Sequence, residues 1–250
     1  MYTVTRIEET KEEAFNVKTI RFKFENTVYP GQFVMVWIPG IREIPMSLSY
    51  TGDLKGITFK VLGKGTEALS SLTDGSRIWV RGPYGKGYTK ESGQFLAIAG
   101  GTGVSSLAPF LETAGEFDLL IGAKSKQDLY FIERLKRVSK NIYITTEDGS
   151  DGEKGLLTDL LPHILKKRQY NKIYACGPEK MIRAIMNMTE LRISASLERY
   201  MKCGIGICDS CTINGYRVCV DGPVFEDQQL RNMTELGDYT REKSGLKVRL

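Results

Sequence analysis

From Val17 to Phe24 the chain alternates as Val17-Lys18-Thr19-Ile20-Arg21-Phe22-Lys23-Phe24, the period-2 pattern of a half-buried strand. The short apolar runs GQFVMVWIP (31–39), GITFKVL (56–62) and RIWVRGPYG (77–85) follow, separated by Pro-Gly, Gly-Asp and Asp-Gly turn signals. Several short strands at this spacing predict a small antiparallel barrel or sandwich over residues 1–92.

The period then changes. Compact apolar runs at 94–100 (QFLAIAG), 117–123 (FDLLIGA), 141–148 (NIYITTED) and 172–177 (KIYACG) alternate with helical patterns at 105–114, 129–139, 156–168 and 179–188. Strands alternating with helices predict βαβ units and a doubly wound parallel sheet over residues 93–192. LRISASLERYM (191–201) leads into a cysteine-rich segment, and the tail after about residue 230 has weak periodicity. Residues 193–250 therefore read as a third, smaller unit.

Composition narrows the function classes. The net charge is +5, but lysines and arginines are interspersed with acids. The densest basic run, Lys166-Lys167-Arg168, falls on a helical pattern and reads as a solvated face rather than a nucleic-acid surface. The longest apolar stretch, Phe33 to Ile38, is far short of the ~20 residues that a membrane span needs. MYTVTRIEET lacks the basic-then-apolar order of an export signal, so a cytoplasmic protein is expected. A single histidine, His163, excludes mechanisms that need a His pair or a three-His metal site.

The cysteines carry the most specific signal. Four of the five fall within 17 residues, Cys203, Cys208, Cys211 and Cys219, while Cys176 stands alone upstream. An odd count without an export signal argues for reduced thiols and hence for metal or redox chemistry. The spacing C-x4-C-x2-C-x7-C begins like that of plant-type 2Fe–2S ferredoxins. Gly204 and Gly206 let the backbone wrap closely so that amides can point at sulfur, and Asn214-Gly215 is a hairpin signal that returns the chain to Cys219. A structural zinc site, usually built from two C-x2–4-C pairs, is the rival reading of the same residues.

Three further segments are candidates for phosphate binding. Gly100-Gly101-Thr102-Gly103 sits where a strand hands over to a helix, and Cys176-Gly177-Pro178-Glu179 repeats that arrangement. Strand carboxyl ends are where open parallel sheets place their ligands. Lys64-Gly65-Thr66 offers a cation, a free amide and a hydroxyl after a barrel strand, which suits either a pyrophosphate or a surface turn. Pro45-Met46-Ser47-Leu48-Ser49-Tyr50 is compatible with an ordinary edge strand, and Cys176 with a buried small residue.

Together, the barrel, the α/β module with GGTG and CGP turns and the C-terminal cysteine set resemble the ferredoxin-reductase superfamily. More narrowly, they resemble the electron-transfer subunits of dihydroorotate dehydrogenases. The resemblance covers nearly all of residues 1–230, and its most telling pieces are IPMSLS, GKGTEAL, GPYGKGY, AGGTGVSSLAP, TEDGSDGEKGLLTDLL, YACGPEKM, SLERYMKCGIGICDSC and CVDGPVF. It implies a ferredoxin-reductase-like fold with FAD on the barrel and a 2Fe–2S cluster held by Cys203, Cys208, Cys211 and Cys219. The family's Arg-Pro-x-Ser flavin motif falls on Ile44-Pro45-Met46-Ser47, followed by Leu48. The arginine that helps hold the FAD pyrophosphate in relatives is therefore replaced by Ile44, with Arg42 two residues earlier. Phe59, Lys60 and Val61 fall on the strand beside the flavin, and Lys64, Gly65 and Thr66 on the second FAD contact. Gly100, Gly101 and Gly103 match the pyridine-nucleotide loop, and Cys176, Gly177 and Pro178 match the turn near the nicotinamide.

The activity implied is electron transfer in pyrimidine (UMP) biosynthesis. Electrons would leave the FMN of a separate dihydroorotate dehydrogenase catalytic subunit, pass through the cluster and FAD, and reach NAD⁺ or another acceptor. Two copies of each chain would form a heterotetramer, with no catalytic acid or base on this one. No acidic residue stands clearly at the ribose position, which predicts a weak response to NADH. Two other readings share the residues: the α-type subunit of an NADPH:ferredoxin or sulfide oxidoreductase, and a zinc-stabilised interaction module. The first commonly has aspartate at the first cluster-ligand position, where this chain has Cys203.

Overall fold

A computed structural model describes residues 1–250. Strands β1 (Thr3–Ala14), β2 (Val17–Lys23), β3 (Phe33–Ile38), β4 (Arg42–Tyr50), β5 (Leu54–Lys60) and β6 (Arg77–Tyr84) close an antiparallel barrel in the order β1-β2-β5-β4-β3-β6. Its interior is filled by alternate residues of these strands, among them Ile20, Phe22, Val34, Val36, Leu48 and Ile57. After β5 comes a helix, α1 (Lys64–Ser70), where the sequence offers a phosphate cradle or a surface turn but no helix. Thr66 Oγ1 closes its first turn, accepting the amides of Leu62 (2.9 Å) and Gly63 (3.1 Å) and donating to the Gly63 carbonyl.

The second module runs β7 (Phe95–Gly100), α2 (Gly103–Ala114), β8 (Phe117–Ala123), α3 (Ile132–Lys136), β9 (Asn141–Thr146), β10 (Glu153–Lys154), α4 (Leu157–Lys167), β11 (Lys172–Cys176), α5 (Glu179–Met188) and β12 (Arg192–Ser196). All six residues of β7 are buried, as expected of a central parallel strand covered on both faces. The helical pattern at 129–139 yields only the five-residue α3, because Phe131 adopts φ 63° immediately before it and packs edge-to-face against Tyr50 of the barrel. That contact, Arg134 over the Tyr50 ring and the Lys60–Asp128 ion pair (2.5 Å) fasten the sheet to the barrel.

The cysteine segment is an excursion from the sheet. After β12 the chain leaves, forms the small hairpin β13 (Thr212–Ile213) and β14 (Tyr216–Arg217), and returns as β15 (Val224–Glu226), antiparallel to β12. The sheet order is thus β10-β9-β8-β7-β11-β12-β15. A short helix, α6 (Asp227–Arg231), precedes a terminal hairpin of β16 (Tyr239–Arg241) and β17 (Lys247–Arg249). No residue of 239–250 is buried; Lys180 and Arg183 of α5 bond the hairpin region at the Leu250 and Leu236 carbonyls. No helix is long and apolar enough to cross a membrane.

Candidate functional site

The sheet order reverses at β7: β8 lies on one side and β11 on the other. Such a switch point opens a crevice at the strand carboxyl ends. GGTG closes β7 and CGP closes β11, so the two glycine turns meet there. A Cβ on Gly103 would lie 2.1 Å from the Cys176 carbonyl oxygen, so only glycine allows α2 to start against β11. Gly101, at φ +53°, faces open space. Gly100, Gly101, Gly177 and Pro178 line a cavity of about 610 Å³, and Gly100, Gly101 and Pro178 also border a second of about 380 Å³. The second cavity contains Glu147, one residue past β9, and the buried Thr145 hydroxyl, which has no partner within the chain. Glu147 is an acid at the carboxyl end of β9, beside the crevice, where the sequence alone shows none clearly at the ribose position.

A third cavity, about 380 Å³, lies between barrel and sheet. Pro45, Met46, Ser47, Phe59, Lys60 and Thr66 line it from the barrel, and Thr102, Ser105 and Ser106 from the opposite wall. The other candidates are set back from it. Leu48 is in the barrel core, Val61 packs against that core, and Lys64 and Gly65 form the first turn of α1. Cys176 is fully buried behind the crevice, and burial pushes its thiol up to about 12, so it is neutral at physiological pH.

Leu197, Glu198, Arg199, Tyr200 and Met201, the exit from β12, form another wall of the barrel-side cavity and lead directly to Cys203. Glu198 borders both this cavity and the 610 Å³ one, with its side chain exposed. Arg199 donates to Glu179 at the start of α5 (2.7 Å), both side chains being under a tenth exposed. Replacing Arg199 with Met should cost about 3–5 kcal/mol, because Glu179 would be left charged and buried without its partner. Denaturant titration would measure the loss.

Among the four clustered cysteines, Cys208 neighbours Cys203, and Cys219 neighbours both Cys211 and Cys203. The Cys203 sulfur accepts the Ile205 and Ile207 amides, each at 3.4 Å. Burial acts to raise the Cys208 thiol, but hydrogen bonds from Ser210 and from Cys203 lower it to about 6. Burial and the neighbouring Cys211 push Cys219 up to about 12. No three Cys, His, Asp or Glu side chains converge as a group able to hold one metal ion. Four thiols gathered on a wrapped backbone suit a binuclear cluster, in which each iron takes two thiolates. The loop also touches the barrel: a Cβ on Gly204 would meet Met35 of β3 at 3.1 Å, two residues from Phe33 in the cavity wall.

Comparison with known proteins decides the family. Residues 198–231 match the iron–sulfur cluster binding domain of dihydroorotate dehydrogenase B, and residues 97–187 match an oxidoreductase NAD-binding domain. A Thermoplasma acidophilum protein named "probable dihydroorotate dehydrogenase B (NAD(+)), electron transfer subunit" is 46% identical over 247 residues, 98% of this chain and 97% of that one. The chain belongs to this family. A Pyrococcus furiosus protein of the same name is 41% identical, covering 96% of each chain. Among solved structures, that of an NADH-dependent reduced ferredoxin-NADP oxidoreductase, described for flavin-based electron bifurcation, superposes with a TM-score of 0.81 at 28% identity over 93% of both chains. A ferredoxin NADP⁺ reductase from Neisseria gonorrhoeae, with bound FAD and NADP, shares the fold alone, with a TM-score of 0.61 at 15% identity over 75% of this chain and 89% of that one. As a dihydroorotate dehydrogenase B electron transfer subunit, the chain is an oxidoreductase component with FAD, 2Fe–2S and NAD as its cofactors. The readings as a zinc-stabilised module and as an α-type subunit give way to this.

Proposed function

We propose that this chain carries electrons from the FMN of a dihydroorotate dehydrogenase catalytic subunit, through its 2Fe–2S cluster and FAD, to NAD⁺ in UMP synthesis. One observation supports the order of carriers. The run Leu197–Met201 borders the barrel-side cavity, Glu198 within it also borders the nucleotide crevice, and the same run continues into Cys203. Three compartments therefore adjoin along one stretch of backbone. A flavin exchanges both hydride and single electrons, which suits the middle position.

In this reading residues 1–92 hold FAD, 93–192 the pyridine nucleotide and 193–250 the cluster. Cys203, Cys208, Cys211 and Cys219 ligate the irons. Pro45 to Leu48, Phe59 to Val61 and Lys64 to Thr66 shape the flavin site, and Gly100, Gly101, Gly103 and Cys176 to Pro178 the nicotinamide side. Glu147 suits the ribose hydroxyls of the nucleotide as an acceptor. The fully buried, neutral Cys176 excludes water behind the turn without moving a proton. The partner is an FMN-containing chain, two copies of each forming the assembly. Five free cysteines fit a reducing cytoplasm.

The nicotinamide end is testable without the partner. Micromolar NADH added anaerobically to the isolated chain should bleach the flavin and then the cluster within seconds. A fully loaded chain that stays oxidised would remove NAD⁺ from the relay.

A further inference from the structure

FAD brings a doubly negative diphosphate, and the barrel-side cavity has no free cation to meet it. Lys60 and Arg199 are the basic residues in its wall; Lys60 is paired with Asp128 and Arg199 with Glu179. Glu198, also in the wall, has no cationic partner and adds negative charge. An uncompensated diphosphate seated there would be strongly disfavoured. The compensating charge has to come from the rim.

Arg42 adjoins that wall through Gly65. It begins β4 and is on the same side of the strand as Ile44 and Met46, two and four residues on. Met46 lines the cavity, and Ile44, 7% exposed, belongs to the barrel core. The Arg42 side chain is exposed and makes neither a salt bridge nor a hydrogen bond within the chain. Its guanidinium lies on Gly65: a Cβ there would be 2.7 Å from Nε and 3.1 Å from a terminal nitrogen. The next residue, Thr66, is in the cavity wall. Gly65 is thus the seat of the arginine, and any side chain there would displace the guanidinium.

We propose that Arg42, seated on Gly65, supplies the cation that holds the FAD diphosphate, in place of an arginine at the position of the buried Ile44. This rests on the assignment of Lys64–Thr66 to the flavin site. A guanidinium presents a planar fork of N–H donors that can engage two phosphate oxygens at once, which the nearby unpaired Lys64 cannot do.

The test uses the full chain, stripped of flavin and titrated with FAD or with riboflavin, which has no phosphate, following flavin fluorescence. Arg42→Gln should weaken FAD binding by about ten- to a hundredfold, the loss of a charge-assisted fork, and leave riboflavin binding unchanged. Arg42→Lys should fall between, and Gly65→Ala should resemble Arg42→Gln. FAD affinity unchanged in Arg42→Gln, or riboflavin weakened equally, would overturn the proposal. If Gly65→Ala weakens FAD while Arg42→Gln does not, Arg42 fails but the Lys64–Thr66 assignment stands. If neither variant affects FAD, that assignment falls too.

Discussion

Replacing Cys208 with serine will remove iron and acid-labile sulfide from the protein, from about two of each per chain to near zero, while FAD stays bound. Cys176→Ser will leave the iron and sulfide in place. The contrast follows from location. Cys208 is exposed on the wrapped loop, beside Cys203 and within reach of the Ser210 hydroxyl (3.4 Å). Its low-lying thiol is readily available as thiolate, the form that binds iron. Cys176 is 0% exposed at the end of β11 and belongs to the core cluster of the sheet, not to the loop. Because the flavin and nucleotide cavities do not involve Cys208, NADH should still bleach the FAD of Cys208→Ser. Electron delivery from the cluster side should fall to background. Visible absorbance with iron and sulfide analysis reads the first effect, and stopped-flow reduction reads the second.

The second large effect concerns assembly. Ile205 is 48% exposed, Ile207 77% and Val220 39%, an apolar fringe around the loop that presents Cys208. An exposed apolar fringe beside a redox centre suits a lasting interface with the donor subunit. Ile207→Glu should weaken binding to the catalytic chain by about a hundredfold, since it removes apolar contact and buries an unpaired carboxylate at the centre of the contact. Its absorbance and FAD content should match those of the wild type, because the side chain points to solvent. Sedimentation of the two chains together would measure the change. Undiminished assembly would move the interface elsewhere.

What could be read from the sequence follows from where each interaction is local. The α/β module was legible because its strands are apolar on both faces and its glycine turns lie at strand ends. The four cysteines were legible because one short loop carries them all. Strand β1 was not, since its acid-rich sequence is interrupted by irregular pairing between Ile7 and Glu9 and between Glu12 and Ala14. Helix α1 is seven residues long and has glycine in its first turn, too short for periodicity to register. β15 depends on β12, nearly thirty residues earlier, and its three residues carry no pattern of their own. The positions of Arg42 on Gly65 and of Glu147 and Glu198 at the cavities are tertiary facts. The nearest signals were an acid directly after an apolar strand and an arginine two residues from where the flavin motif would have it.

Anaerobic reduction by dihydroorotate tests the relay most directly. The account predicts that dihydroorotate leaves the isolated chain oxidised, and that adding an equimolar FMN-containing catalytic subunit bleaches cluster and FAD together and, with NAD⁺ present, forms NADH. Oxidation of dihydroorotate by the isolated chain, or an FAD that stays oxidised in the mixture while the FMN is reduced, would contradict it.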